Sequence, residues 1–436
     1  MLVITALIVL LVTMIIGLPI PLAFLASAGS ICLFGNYNPS LLMVFGYNKI
    51  NSILLLTIPL FVLAGSIMDK GGIGEKLIGT VAKGVGKIRG GLGIVTVVSC
   101  AVFGAVSGSS SATLSCIGSI MTPRLKENGY PDGLIGALIA SSGVLGILIP
   151  PSMLMILYAW ATGESVLACF LATILPGLML IVLFSAVNCF YAIKNPNIRV
   201  YDSVLQQADL REKKRGKQEK EFSAIPALLM PVIILGSIYG GILTATEAAA
   251  FSVIYALPVG MFYYKKIDRK AFNEGLIQAG ETAGVIMTML FSVMILSRLY
   301  VSENLPKMIL TFLTSISENR TIILVMINIF MIILGMLMDD CSATILAAPI
   351  LLPVMTALGV SPIHFAAILG VNIGMGNVTP PTAPLLYLGG RISGAEVRDM
   401  LGPNLALIIF AWLPTLVVTT YIPAFGLFLP RLFGYA

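Results

Sequence analysis

Val106-Ser107-Gly108-Ser109-Ser110-Ser111-Ala112-Thr113 is a polar break inside strongly apolar sequence, and a double proline follows it at Ile149-Pro150-Pro151-Ser152. Both return later in altered form. Ser111-Ala112-Thr113 recurs as Ser342-Ala343-Thr344, at an offset of 231, and Pro150-Pro151 recurs as Pro380-Pro381, at an offset of 230. Between these anchors Pro123 pairs with Pro353 and Pro131 with Pro362, while upstream Leu60-Phe61 pairs with Leu290-Phe291. Two copies of one design are therefore expected, residues 1–192 and 223–436, joined by a loop at 193–222.

Composition says where such a design lives. Hydrophobic residues make up 58% of the chain and charged residues 11%, and mean hydropathy is +0.99. Soluble domains carry roughly 25% charge. The apolar runs are numerous, and one membrane span needs about 20 such residues. They lack the alternation of barrel strands. The expectation is an all-α polytopic membrane protein. The six cysteines are scattered singly and have no metal-ligand spacing. A net charge of +6 does not signal nucleic acid, because the basic residues sit in loops between spans.

Taken in order, Leu2–Ile16 and Leu18–Phe34 read as a helix pair meeting at Gly17, followed by a loop from Gly35 to Lys49 and a span over Ile53–Met68. A basic segment containing Lys70, Lys76, Lys83, Lys87 and Arg89 comes next. Gly91–Thr122 has a polar middle and basic residues beyond both ends, so it reads as a re-entrant hairpin. Irregular backbone at membrane depth survives only when buried in protein or lining a cavity. Leu134–Trp160 is interrupted at Gly143, Gly146, Pro150 and Pro151 and reads as a broken helix; Val166–Ala192 crosses back. Arg211–Lys220 holds six basic residues, which makes that loop cytoplasmic.

The second half repeats this. Ile225–Leu243, Glu247–Tyr264 and Gly275–Leu296 read as spans, Ile322–Val354 as a second hairpin with its tip at Asp339-Asp340-Cys341-Ser342, and Phe365–Leu388 as a second broken helix. Ala406–Phe428 is the last span. Loop 69–89 carries five Lys/Arg and its counterpart 299–320 carries two; loop 35–49 carries one and its counterpart 265–270 carries four. Equivalent loops thus have opposite charge bias, so the halves are expected upside down relative to each other. Ten crossings and two hairpins follow, with both termini outside the cytoplasm. Inverted repeats of this kind are a plan of secondary transporters, with sites near the midplane at broken helices.

The helix ends at such breaks suit a carboxylate at their positive ends, and free carbonyls with hydroxyls suit Na⁺. Hydroxyls cluster there: Ser107, Ser109, Ser110, Ser111, Ser115 and Ser152 in the first half; Ser342, Thr344, Thr379 and Thr382 in the second. Asp339 and Asp340 are the only adjacent acidic pair, and a charge inside the membrane marks function by default. Glu247, His364 and Arg298 read as structural: a helix-start acid, a lone histidine and an interfacial anchor. No P-loop and no G-x-S-x-G is present, so neither ATP nor serine hydrolase chemistry is indicated, and the chain is expected not to be an enzyme. An intramembrane aspartyl protease would need acids on two helices in a G-x-G-D context, which is missing.

The pattern resembles the large membrane subunit of tripartite ATP-independent periplasmic (TRAP) transporters. The residues that carry the resemblance are Ile58-Pro59-Leu60-Phe61-Val62-Leu63-Ala64-Gly65, Ser107–Thr113, Ile149–Ser152, Tyr239-Gly240-Gly241 with Thr246-Glu247-Ala248-Ala249-Ala250, Leu334-Gly335-Met336 with Asp339, and Thr379-Pro380-Pro381. They span essentially the whole chain. The resemblance implies an elevator mechanism, in which a transport domain holding both hairpins and both broken helices moves against a fixed scaffold. It implies two partners: a small four-helix membrane subunit, expected to be a separate chain, and a periplasmic substrate-binding protein that delivers an organic acid at a bacterial inner membrane. It places sodium on the first tip and break (Ser107, Ser110, Ser111, Gly146, Pro150) and on the second tip and break (Ser342, Gly374, Thr379). The candidate substrate-binding residues are Ser109, Ser115, Asp339 and Asp340. Asp339 is similar to a family acidic residue, while Asp340 and Cys341 depart from the family's hydroxyl-rich continuation. Sialic acid and C4-dicarboxylates both belong to the implied substrate class. The alternative is a stand-alone sodium/dicarboxylate symporter of similar design.

Overall fold

Polar breaks and prolines divide this apolar chain into helices. The computed structural model describes residues 2–85, 88–199 and 225–435, with no strand among them. The basic stretch Arg211–Lys220 lies outside the described residues. Seven helices among those described are long and apolar enough to cross a membrane. A bent pair, Asp132–Leu148 with Met153–Thr162, makes an eighth candidate, its halves inclined by 44°. This count differs from the ten crossings expected, and length is the reason. It admits both arms of the second hairpin, Arg320–Leu337 and Asp340–Ala357, and omits the shorter Leu2–Ile15 and Ile20–Gly35. Large apolar side chains stay exposed on outward faces, among them Ile4, Ile8, Leu11 and Ile15 on the first helix and Ile254 and Phe262 further on. An apolar exterior over an apolar core is what a lipid solvent permits. The chain is a multi-pass membrane protein.

Helices recur in the same order along the two halves. The first hairpin is Gly91–Ser107 with Ser110–Glu127, and the second is Arg320–Leu337 with Asp340–Ala357. The second arms start 230 residues apart. The first broken helix is Asp132–Gly143 with Leu145–Leu148, a break at Ile149–Ser152, then Met153–Thr162. The second is Pro362–Gly376, a break, then Pro384–Ser393. Both double prolines include a cis bond, Pro150–Pro151 and Pro380–Pro381. Proline has no N–H to donate, so the i to i−4 ladder cannot pass through these pairs.

Local chemistry starts each arm. Ser109 caps Ser110–Glu127 by accepting the Ala112 N–H at 3.4 Å, and Asp339, its equivalent, accepts from the Cys341 and Ser342 N–H groups at 3.1 and 3.4 Å. Ser152 caps Met153–Thr162 by accepting from Met155 N at 3.4 Å. Ser361 caps Pro362–Gly376 through His364 N at 3.2 Å. Each satisfies donors that a helix start leaves unpaired. Gly108 ends the first arm at φ +62°, a region that favours glycine.

Three stretches expected as loops or basic connections contain helices. Pro39–Ile50 lies within the expected 35–49 loop, Ile73–Val85 within the basic segment, and Leu305–Ile316 within the loop after Arg298. The last two occupy equivalent places just before each hairpin. Their charges had suggested solvated loops, but one side of each is apolar: Leu77, Ile78 and Ala82 are buried in one, Leu305 and Leu313 in the other. The last span also differs. It begins at Val397, passes through a widened turn at Ile408–Trp412, and is followed by a separate helix, Pro423–Leu432.

The halves are not identical. Pro39–Ile50 and Thr57–Lys70 are separate helices, whereas their counterpart is one helix, Arg269–Ser302, of 34 residues. That long helix packs against Ile20–Gly35, Thr57–Lys70 and Pro39–Ile50. Ser66 donates to Gln278 Oε1 at 3.0 Å, and Lys70 pairs with Glu274 at 2.8 Å.

Glu247 and His364, read as structural, behave so. Thr244 and Glu247 form a reciprocal capping box. The His364 ring lies 2.7 Å from the Thr419 carbonyl. The Arg298 guanidinium lies 5.5 Å from the centre of the Phe45 ring.

Candidate functional site

Glycine lets each broken helix lie directly against its hairpin. A Cβ on Gly104 would lie 2.5 Å from Gly146 Cα, and one on Gly146 would lie 2.5 Å from Thr113 Oγ1 and 2.6 Å from the Ser109 carbonyl. In the second half a Cβ on Gly376 would lie 2.7 Å from Gly335 Cα and 2.5 Å from the Ile332 carbonyl. Gly376 stands 230 residues after Gly146. The same close approach is therefore built twice. At the first break the Met153 N–H donates to the Gly108 carbonyl at 3.0 Å, joining the hairpin tip to the double proline. At the second, Thr382 donates its hydroxyl proton to the Met336 carbonyl.

The two tips meet. Ser110, second in from the first tip's glycine, donates its hydroxyl proton to the Asp340 carboxylate of the second tip. Asn377, in the second break, donates its amide to the other Asp340 oxygen and a second N–H to the Ile373 carbonyl at 3.1 Å. One carboxylate thus ties both hairpins to the second broken helix. Asp339 beside it accepts the Ser342 hydroxyl.

A cavity of about 470 Å³ opens at this junction. Four helix starts border it: Ser110 and Ser111, Asp340 and Cys341, Met153 and Leu154, and Pro384 and Leu385. Helix N-termini carry positive dipole ends, which favour anions, although several of their N–H groups are already taken here by Ser109, Ser152, Asp339 and the Gly108 and Asn377 carbonyls. Glu281, Thr282, Val285 and Ile286 of the long helix Arg269–Ser302 also line it. A second cavity of about 220 Å³ lies alongside, lined by Asp69, Ser107, Ser115 and Gln278 among others. Ser109, Ser111, Met153 and Thr282 border both.

The candidate residues sort by position. Ser109, Ser110, Ser111, Asp339 and Asp340 line the larger cavity, and Ser115 lines only the smaller one. Ser107 is buried, with its hydroxyl 2.9 Å from that of Thr113. Gly146 and Pro150 sit at the first hairpin–break contact. Ser342 is buried beneath Asp339. Thr379 turns back onto the Met375 carbonyl at 2.6 Å. Gly374 points its open side at Val144 and Trp412, where a Cβ would lie 2.6 and 3.1 Å away, so its α-carbon packs against apolar side chains.

Among the site residues that escaped the sequence reading are Asn377 and Glu281. Asn377 has Ile147 as its repeat partner, so matching the halves could not reveal it. Glu281 is a charge within a stretch read as a plain span, and intramembrane charge was the available signal.

Hairpins and broken helices that converge on a cavity bordered by serines and carboxylates inside a helical membrane protein define a membrane permease. The chain belongs to the family described as tripartite ATP-independent periplasmic transporter, DctM component, whose model matches residues 7–425. It is 34% identical over 385 residues to the C4-dicarboxylate TRAP transporter large permease protein DctM of Pseudomonas aeruginosa, covering 87% of each chain. It is 32% identical over 387 residues to the sialic acid TRAP transporter large permease protein SiaM of Vibrio cholerae, covering 88% of each. It is 30% identical over 416 residues to the isethionate TRAP transporter permease protein DctMQ of Oleidesulfovibrio alaskensis, covering 95% of this chain but 64% of that longer protein. In fold it resembles the Alcanivorax borkumensis YdaH transporter, with a TM-score of 0.58, 12% identity and 87% coverage of each chain.

Proposed function

We propose that this protein is the large transmembrane subunit of a sodium-coupled secondary transporter that imports an organic acid across a bacterial inner membrane. The observation that carries the reading is the cavity where both hairpin tips and both broken helices meet. Four helix starts border it, and their positive dipole ends suit an acid's anionic end without a basic side chain. Hydroxyls and carbonyls at the tips are the hard oxygen donors that Na⁺ takes. Its proposed ligands are Ser107, Ser110, Ser111, Gly146 and Pro150 on one side and Ser342, Gly374 and Thr379 on the other. Gly146, Pro150 and Gly374 have no side-chain oxygen to give, so their part is a backbone carbonyl. Ser109, Ser115, Asp339 and Asp340 face the substrate.

Opposite charge bias in equivalent loops supports inversion of the halves, and the meeting of the tips fits hairpins entering from opposite sides. The transport domain of an elevator would comprise both hairpins and both broken helices, with the long helix Arg269–Ser302 as part of the scaffold. The small membrane subunit and the periplasmic binding protein are proposed partners, as the names of the relatives suggest.

The test is uptake into proteoliposomes holding this chain and its small partner. An organic-acid panel is offered while the Na⁺ gradient and the binding protein are varied independently. Uptake that needs both supports the tripartite reading. Uptake needing Na⁺ alone would indicate the stand-alone symporter, and uptake needing neither would remove the ion sites. Ser111→Ala and Ser342→Ala are each expected to raise the sodium concentration for half-maximal uptake several-fold. Unchanged sodium activation in both would sink the hydroxyls as ligands.

A further inference from the structure

The charge lining the larger cavity is one-sided. Glu281, Asp339 and Asp340 border it, and among the described residues no Lys, Arg or His does. A dicarboxylate could set one end against the helix starts, but its other end would face carboxylates. Asp340 is also held in a particular way. Ser110 donates to one of its oxygens and Asn377 to the other. A carboxylate has about four acceptor sites, so Asp340, which borders the cavity, keeps capacity for further donors.

We propose that the substrate is a zwitterion, an organic acid that also carries a cationic nitrogen, and that Asp340 is the residue that selects for it. This rests on the transport reading above and names the substrate class of the same site. The acid group lies at the helix starts, and the ammonium or guanidinium donates to Asp340, with Glu281, which borders the same cavity, adding to the field. Ser110 and Asn377 fix the carboxylate's orientation, which makes them positioning residues. A hydroxyl in place of the nitrogen keeps the shape and loses the charge.

Cys341 borders the same cavity and carries a free thiol. Its modification reads the local charge directly in the full-length protein. The probes are methanethiosulfonates bearing a trimethylammonium or a sulfonate group. Labelling at Cys341 is followed by peptide mass spectrometry, and rates are divided by those of a small free thiol. The expected ratio favours the cationic reagent at least tenfold, and falls below threefold in Asp340→Asn. In a second arm, taurine and isethionate, which differ by an ammonium for a hydroxyl, compete with labelling. Taurine is expected to protect at a concentration at least tenfold lower, and that advantage is expected to vanish in Asp340→Asn and Asp340→Thr. Melting of each variant without ligand shows that it is folded. Equal or reversed reagent preference in the wild type overturns the proposal, as does better protection by isethionate or protection by neither. Sodium-driven uptake of purely anionic acids, with Asp340→Asn unaffected, would overturn this inference while leaving the transport reading intact. Absence of any ion-driven uptake would count against that reading instead.

Discussion

Gly376→Val is expected to leave little folded protein. The first carbon alone would fall 2.5 Å from the Ile332 carbonyl and 2.7 Å from Gly335 Cα, both backbone atoms of the neighbouring hairpin arm. A flexible side chain could swing away; a helix backbone cannot. Overpacking a fitted core costs roughly 1–3 kcal/mol, occasionally more, and here two helices must separate along the site's own seam. Gly146→Val should fail in the same way, against Thr113 and the Ser109 carbonyl. The control is on the long helix. Gly280 and Gly284 have open space where a Cβ would go, so alanine at either should be neutral or stabilising by up to about 1 kcal/mol through helix propensity. Yield and melting temperature in detergent measure all four. A Gly376→Val protein that melts like the wild type would refute the close approach.

Asp339→Asn is expected to keep the fold and lose at least a hundredfold in uptake, whereas Asp339→Ala should lose both. Asp339 has two separable tasks. As a cap it accepts from the Cys341 and Ser342 N–H groups, and asparagine caps about as well as aspartate. Alanine would forfeit roughly 0.5–2 kcal/mol of cap. As a charge it borders the cavity beside Asp340 and receives the Ser342 hydroxyl, and asparagine cannot supply that charge. Melting temperature separates the variants, and the sodium dependence of initial uptake reads the charge. An Asp339→Asn protein that transports normally would reduce this residue to a cap.

The hairpins and breaks were legible because the sequence states them twice. Ser111-Ala112-Thr113 and Pro150-Pro151 gain meaning from their partners near 230 residues on, and the helices fall at those registers. The helices just before each hairpin were not legible by that route. Lys76, Lys83 and Lys307 suggested loops, yet Leu77 and Leu313 turn inward. A surface helix bears charge on one face and apolar side chains on the other, so counting charge without testing periodicity misplaces it. At the site, the hydroxyl cluster pointed to Ser110, intramembrane charge to Asp339 and the family resemblance to Gly146, while the repeat concealed Asn377, because its partner in the first half is Ile147. Which atoms donate to Asp340 depends on how the tips meet, and no spacing within either half encodes that.

The long helix Arg269–Ser302 has a mechanical consequence. At 1.5 Å per residue its length is about 51 Å, well beyond a hydrocarbon core of about 30 Å, so it must lean or project. A stiff rod that is too long for its solvent answers a change in thickness by tilting. Glu281 and Ile286 ride on that rod, and both line the cavity. The first half has no such rod, because Asn51–Leu56 interrupts it and can take up the difference as a joint. Uptake in liposomes of graded acyl length is accordingly expected to vary with thickness, and breaking the rod with Gly284→Pro should flatten that dependence. The bilayer would then act as a spring on one side of this cavity only.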